Sequence, residues 1–159
     1  MKQTKIDGKK VIYYNKKKTP SKKVIKKTYR RIHDNKNIPI MFMTREQYLR
    51  QYIKNQELKK NIDFPPAQED HYVNTEMVKY RNFLSRYTTK KNKFFPPAVV
   101  FFNDTPLPPK LFRHLAFHEY GHEVSEKKKQ KLGFFAEEMF ADKIMNTKFK
   151  KKKRKKKKR

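Results

Sequence analysis

The sequence predicts an α+β domain: a small sheet packed against two helices, one with the spacing H-E-x-x-H and the other with a run of carboxylates. Three observations lead there. Two apolar runs of strand length, residues 38–43 and 98–104, alternate with segments whose apolar residues recur at helical spacing. Proline pairs and polar stretches separate these segments. The excess charge lies at the two ends, which leaves the middle free to build a core.

Of the 43 Lys/Arg, 13 lie in residues 1–31 beside the single Asp7, and 11 lie in residues 148–159 with no acid. Residues 32–147 keep 19 basic against 14 acidic side chains. The basicity therefore belongs to the ends and points to polyanion contact through them. Residues 1–31 read as a basic N-terminal arm with room for one short strand, since Val11–Tyr14 and Val24–Ile25 offer too little apolar surface for a core. Residues 148–159 read as a polybasic disordered tail. With no cysteine, disulfides and thiolate metal sites are excluded, and any metal must be held by nitrogen and oxygen. No apolar run approaches the ~20 residues that span a bilayer, and the first residues lack an apolar leader segment. A soluble, cytoplasmic protein without membrane contact is expected.

Within the middle, IPIMFM (38–43) predicts a strand. Thr44 with Gln47 three residues on forms a capping box, and Tyr48, Leu49, Tyr52 and Ile53 carry a helix over 44–58. Pro65 and Pro66 then break the pattern. Behind Thr75, the residues Met77, Tyr80, Leu84 and Tyr87 repeat at helical spacing and predict a second helix over 75–89. AVVFFND (98–104) joins β-branched to aromatic residues ahead of turn residues, a strand signal. Pro109 suits the first position of a helix over 109–125. After Gly133, FFAEEMFADKIM (134–145) gives a last helix of about three turns, with Phe134, Phe135, Phe140 and Met145 assigned to the core.

The stretch HLAFHEYGHEV (114–124) carries the chemistry. A spacing of four puts His118 and His122 one turn apart on one helix face, able to converge on a single zinc ion. Glu119 sits beside that metal, where it can take a proton from water. A catalytic zinc needs a third protein ligand. His114 is two turns from His122, about 12 Å along the axis, too far to share an ion whose bonds to nitrogen are near 2 Å. The last helix offers Glu138, with Glu137, rotated by about 100°, as its rival. Small Ala141 would let the two helices approach, and Asp142 could orient a ligand imidazole through its free N–H.

VVFFNDTPLPPKLFRHLAFHEYGHEV followed by EEMFADKIM resembles the gluzincin metallopeptidases, and within them the compact ImmA/IrrE proteins and the short archaeal minigluzincins. The likeness covers about residues 96–147. It implies a zincin-like fold with the 98–104 strand as the substrate-binding edge of the sheet. It also implies one zinc ion held by His118, His122 and Glu138, Glu119 as general base, and Asp142 as the carboxylate behind a ligand histidine. The chain departs from the family in ending IMNT where LLMP is frequent, in having His114 at a position usually apolar, and in lacking a helix-turn-helix neighbour.

Residues 32–147 are accordingly expected to form a zincin-like metallopeptidase domain acting on a protein or peptide substrate. The alternative is a non-enzymatic, zinc-containing, nucleic-acid-associated or regulatory protein. In either case the basic tails could bind nucleic acid without sequence preference. His71 and Tyr72, which follow an acidic pair, are a candidate oxyanion-stabilising element.

Overall fold

The computed structural model describes residues 1–32, 34–88, 92, 95–128 and 136–146. Its strands are β1 (Lys2–Ile6), β2 (Lys9–Tyr13), β3 (Ile40–Met43), β4 (Ser85–Thr88) and β5 (Ala98–Phe102). Its helices are α1 (Lys22–Tyr29), α2 (Arg45–Lys60), α3 (Pro66–Tyr80), α4 (Pro109–Lys127) and α5 (136–146). The chain divides into two compact units, each assembled from two separated segments: Met1–Thr19 with Lys36–Leu107, and Pro20–Asn35 with Pro108–Arg159.

The first unit holds a mixed five-stranded sheet in the order β1-β2-β3-β5-β4. β2, β3 and β5 are parallel, with Ile40 opposite Val99 and Phe42 opposite Phe101. Every residue of β3 and β5 is buried. Strands covered on both faces need no polar alternation, which is why IMFM and AVVFF read as unbroken apolar runs. On one face Phe42 stacks between Tyr13 and Phe101, at ring separations of 5.4 and 5.6 Å. The other face sends Ile12, Met41, Met43, Val100 and Phe102 into a cluster with Tyr48, Leu49 and Ile53 of α2 and Val73 of α3.

α2 starts where the capping box requires. The Thr44 hydroxyl accepts the Gln47 N–H at 3.1 Å, and the Gln47 side chain accepts the Thr44 N–H at 2.9 Å. Buried Arg45 then donates to the Tyr80 and Phe83 carbonyls and pairs with Asp104 at 2.6 Å, tying the end of α3 to the end of β5.

Three expectations need correction. Residues 1–31 are not an arm. Residues 1–19 pair into the sheet through β1 and β2, with Val11, Ile12 and Tyr13 buried, while 20–31 supply α1 to the second unit. Their apolar side chains are few, but Val11, Ile12 and Tyr13 lie on a strand paired with β3 from distant sequence, so local scarcity does not prevent burial. Second, the helix expected over 75–89 begins at Pro66 and ends at Tyr80, and Leu84 precedes the strand β4. Pro66 stands at the N-terminus of α3, where a missing N–H costs nothing, and Thr75 lies mid-helix, donating to the His71 carbonyl. Third, β5 is not an edge strand. β4 pairs antiparallel along its free side, Tyr87 opposite Val99, leaving β1 and β4 as the edges.

The second unit joins α1, α4 and α5. Ser21 caps α1 by accepting the Val24 N–H at 3.3 Å, and Tyr29 of α1 packs on Phe112 of α4 with ring centres 6.4 Å apart. In α5 Ala141 is buried, whereas Phe140 and Met145, assigned to the core from sequence, are only half-buried. Phe134, Phe135 and the 148–159 tail lie outside the described residues. Among the described residues no helix is long and apolar enough to cross a membrane.

Candidate metal centre

α4 and α5 meet at an unusually close point. A Cβ built on Gly121 would lie 2.5 Å from the Ala141 Cα and 3.1 Å from its carbonyl oxygen. Only glycine fits there, since the obstacle is backbone and cannot rotate away. This contact brings the carboxylates of α5 over the histidines of α4.

The result is a three-residue group able to hold a metal ion: one donor atom each from His118, His122 and Glu138, all within 4.8 Å of one another. The two Nε2 atoms face each other at 3.1 Å. Glu138 sets one oxygen 3.2 Å from the His118 Nε2 and the other 3.3 Å from the His122 Nε2. The outer nitrogens have their own partners. His118 Nδ1 lies 3.0 Å from Asp142, and His122 Nδ1 lies 3.4 Å from Glu137. A carboxylate beside each Nδ1 favours the tautomer protonated there, which leaves Nε2 available to a metal. In that tautomer two imidazole nitrogens and a carboxylate form a set that could hold a metal ion. Zinc bonds of ~2.0–2.1 Å at tetrahedral angles separate neighbouring donor atoms by ~3.3 Å, close to the spacings found. The donor set of two imidazoles and one carboxylate suits zinc.

Glu119 is not one of the three converging donors. It is 3 % exposed on α4. With Asp34 and Glu123 it helps to raise the Tyr29 phenol well above its ordinary pKa, an effect due first to the complete burial of that hydroxyl. Glu123, also buried, accepts the Asn35 N–H at 2.7 Å and pairs with Lys127 at 2.7 Å, fixing the chain that follows α1 against α4.

Of the residues singled out from sequence, His118, His122, Glu138 and Asp142 come together. Glu137, the rival ligand, stands behind His122 instead, a position that sequence reasoning did not assign to it. Its signal was the adjacent carboxylate pair: two side chains about 100° apart on one helix can serve the two faces of one imidazole cluster. His114 is not among the converging donors. His71 and Tyr72 are exposed on α3 in the first unit.

Compared with known protein families, curated proteins and solved structures, the chain matches none. The likeness to gluzincins therefore rests on the motif residues themselves.

Gly121→Ala is expected to push α5 away from α4 and to weaken metal binding by about 10–100-fold, the range seen when support around a ligand is lost. A zinc titration against a competing chelator measures it. Unchanged affinity would mean that the helices do not need this contact.

Proposed function

We propose that the protein is a zinc-dependent metallopeptidase, with one zinc ion held by His118, His122 and Glu138. The observation that carries this reading is the convergence of two Nε2 atoms and one carboxylate while Asp142 and Glu137 stand at the outer nitrogens. Zinc in such a site supplies a Lewis acid that polarises a peptide carbonyl and makes water more acidic.

The chain's own groups do the rest. Asp142 and Glu137 hold the imidazole rings in orientation and keep their protons on the outer nitrogen. Glu119 is the general base: it takes a proton from the attacking water and returns it to the departing amine nitrogen, so one carboxylate serves both halves of the reaction. The substrate is a protein or peptide. An extended substrate has no open side of β5 to add to, because β3 and β4 flank it.

The test is cleavage of an unfolded protein substrate. Activity should vanish with a chelator and return on adding one equivalent of zinc. Cleavage indifferent to the chelator would refute the assignment.

A further inference from the structure

α1 carries charge where folding disfavours it. The N-terminus of a helix bears partial positive charge, so acids favour the first turn and lysines do not. α2 and α3 follow that preference with Glu46 and Glu69; α1 and α4 have no acid in the first turn, and α1 opens on two lysines, Lys22 and Lys23. Between Asp7 and Asp34 the chain has no Asp or Glu at all. Exposed Lys22, Lys26 and Arg30 form one row and Lys23, Lys27 and Arg31 a second, each stepping ~6 Å along the axis. The turn persists to the end of both rows, because the Arg30, Arg31 and Ile32 N–H groups bond to the Lys26, Thr28 and Tyr29 carbonyls. Like charges four residues apart oppose a helix by ~0.2–0.5 kcal/mol per pair. Lys26 and Lys27 suit the last turn, so the mismatch with the helix dipole lies at Lys22 and Lys23, while all six cations stand on exposed positions with no acid between them in sequence.

We propose that this face of α1 binds the phosphate backbone of double-stranded nucleic acid without reading its sequence. A duplex offers one fixed negative charge per ~1.7 Å of axis, a density that matches two rows of cations. No aromatic side chain stands among these six residues to stack on unpaired bases, as single-strand binding requires. The opposite, apolar face is committed to the protein, with Ile25, Thr28 and Tyr29 buried and Tyr29 packed on Phe112. It therefore has nothing to sink into a bilayer, as a membrane-surface helix must. This places nucleic-acid contact on a folded helix, and it does not depend on the metal centre.

The test is the salt dependence of binding to a short mixed-sequence duplex, measured with the full chain. Lys22→Gln/Lys26→Gln/Arg30→Gln should lower the slope of log affinity against log salt by about 2–3, at ~0.9 per phosphate contact. Two controls make the same change in net charge: Lys59→Gln/Lys60→Gln/Lys110→Gln on other exposed positions, and Lys151→Gln/Lys152→Gln/Lys153→Gln in the tail. Each should lower the slope by less than about one. Lys22→Arg/Lys26→Arg, which keeps the charge, should bind like the native chain. Equal slope changes in all three Gln variants would reduce the effect to net charge and overturn the proposal. A larger change from the tail variant, or loss of binding in the Arg variant, would overturn it too. So would an α1 variant that weakens binding to anionic lipid vesicles but not to the duplex.

Discussion

Glu119→Gln is expected to keep one zinc ion per chain and to lose peptide hydrolysis by at least ~100-fold, the low end for removing a general base. The substitution preserves shape, so the packing around this buried side chain holds, and the trio of donors that defines the metal centre does not include it. It also removes one of three carboxylates gathered near the Tyr29 hydroxyl, so the folded state is not burdened with new like-charge repulsion. Metal content and melting temperature should therefore stay near those of the native chain while turnover falls. Full activity in this variant would assign the proton transfer to another group. Loss of zinc would make Glu119 a ligand. A zinc-loaded native protein inert on every unfolded substrate would favour a structural metal in a non-enzymatic protein.

The second large effect separates the neighbouring glutamates. Glu138→Ala should remove most of the zinc, because both carboxylate oxygens point at the inner nitrogens, 3.2 and 3.3 Å away. Glu137→Ala should keep the metal but bind it about 10–100-fold more weakly, the usual cost of losing a carboxylate behind a ligand histidine. That side chain lies 3.4 Å from the outer nitrogen of His122 and is not one of the three converging donors. Zinc content by elemental analysis, with a chelator titration for affinity, distinguishes the two. The reverse order would exchange their roles.

Local signals were the ones legible in the sequence. The Thr44–Gln47 capping box, Pro109 at the start of α4 and the four-residue histidine spacing each act within one or two turns, and the structure has all three. The α4–α5 approach was legible in part, because small Ala141 sits three residues past Glu138; that it meets Gly121 backbone to backbone was not. What escaped was pairing between distant segments. β4 exists because Ser85–Thr88 lie antiparallel to Ala98–Phe101, and nothing within residues 77–87 distinguishes that from a continuing helical stripe. The hairpin of β1 and β2 did leave a mark. Asp7 and Gly8 both take positive φ, 48° and 78°, in the two-residue turn that Asp-Gly favours. Lysine density hid it, because the charge of the segment suggested a solvated arm while its apolar side chains were being buried by β3 from residue 40 onward.

The most direct test of the metal centre is X-ray absorption at the zinc edge of protein loaded with one equivalent of zinc. Two imidazole nitrogens and carboxylate oxygen at ~2.0–2.2 Å, with one nitrogen lost in His118→Ala, are the expected coordination. A metal shell without imidazole scattering, or one unchanged by that substitution, would contradict the site.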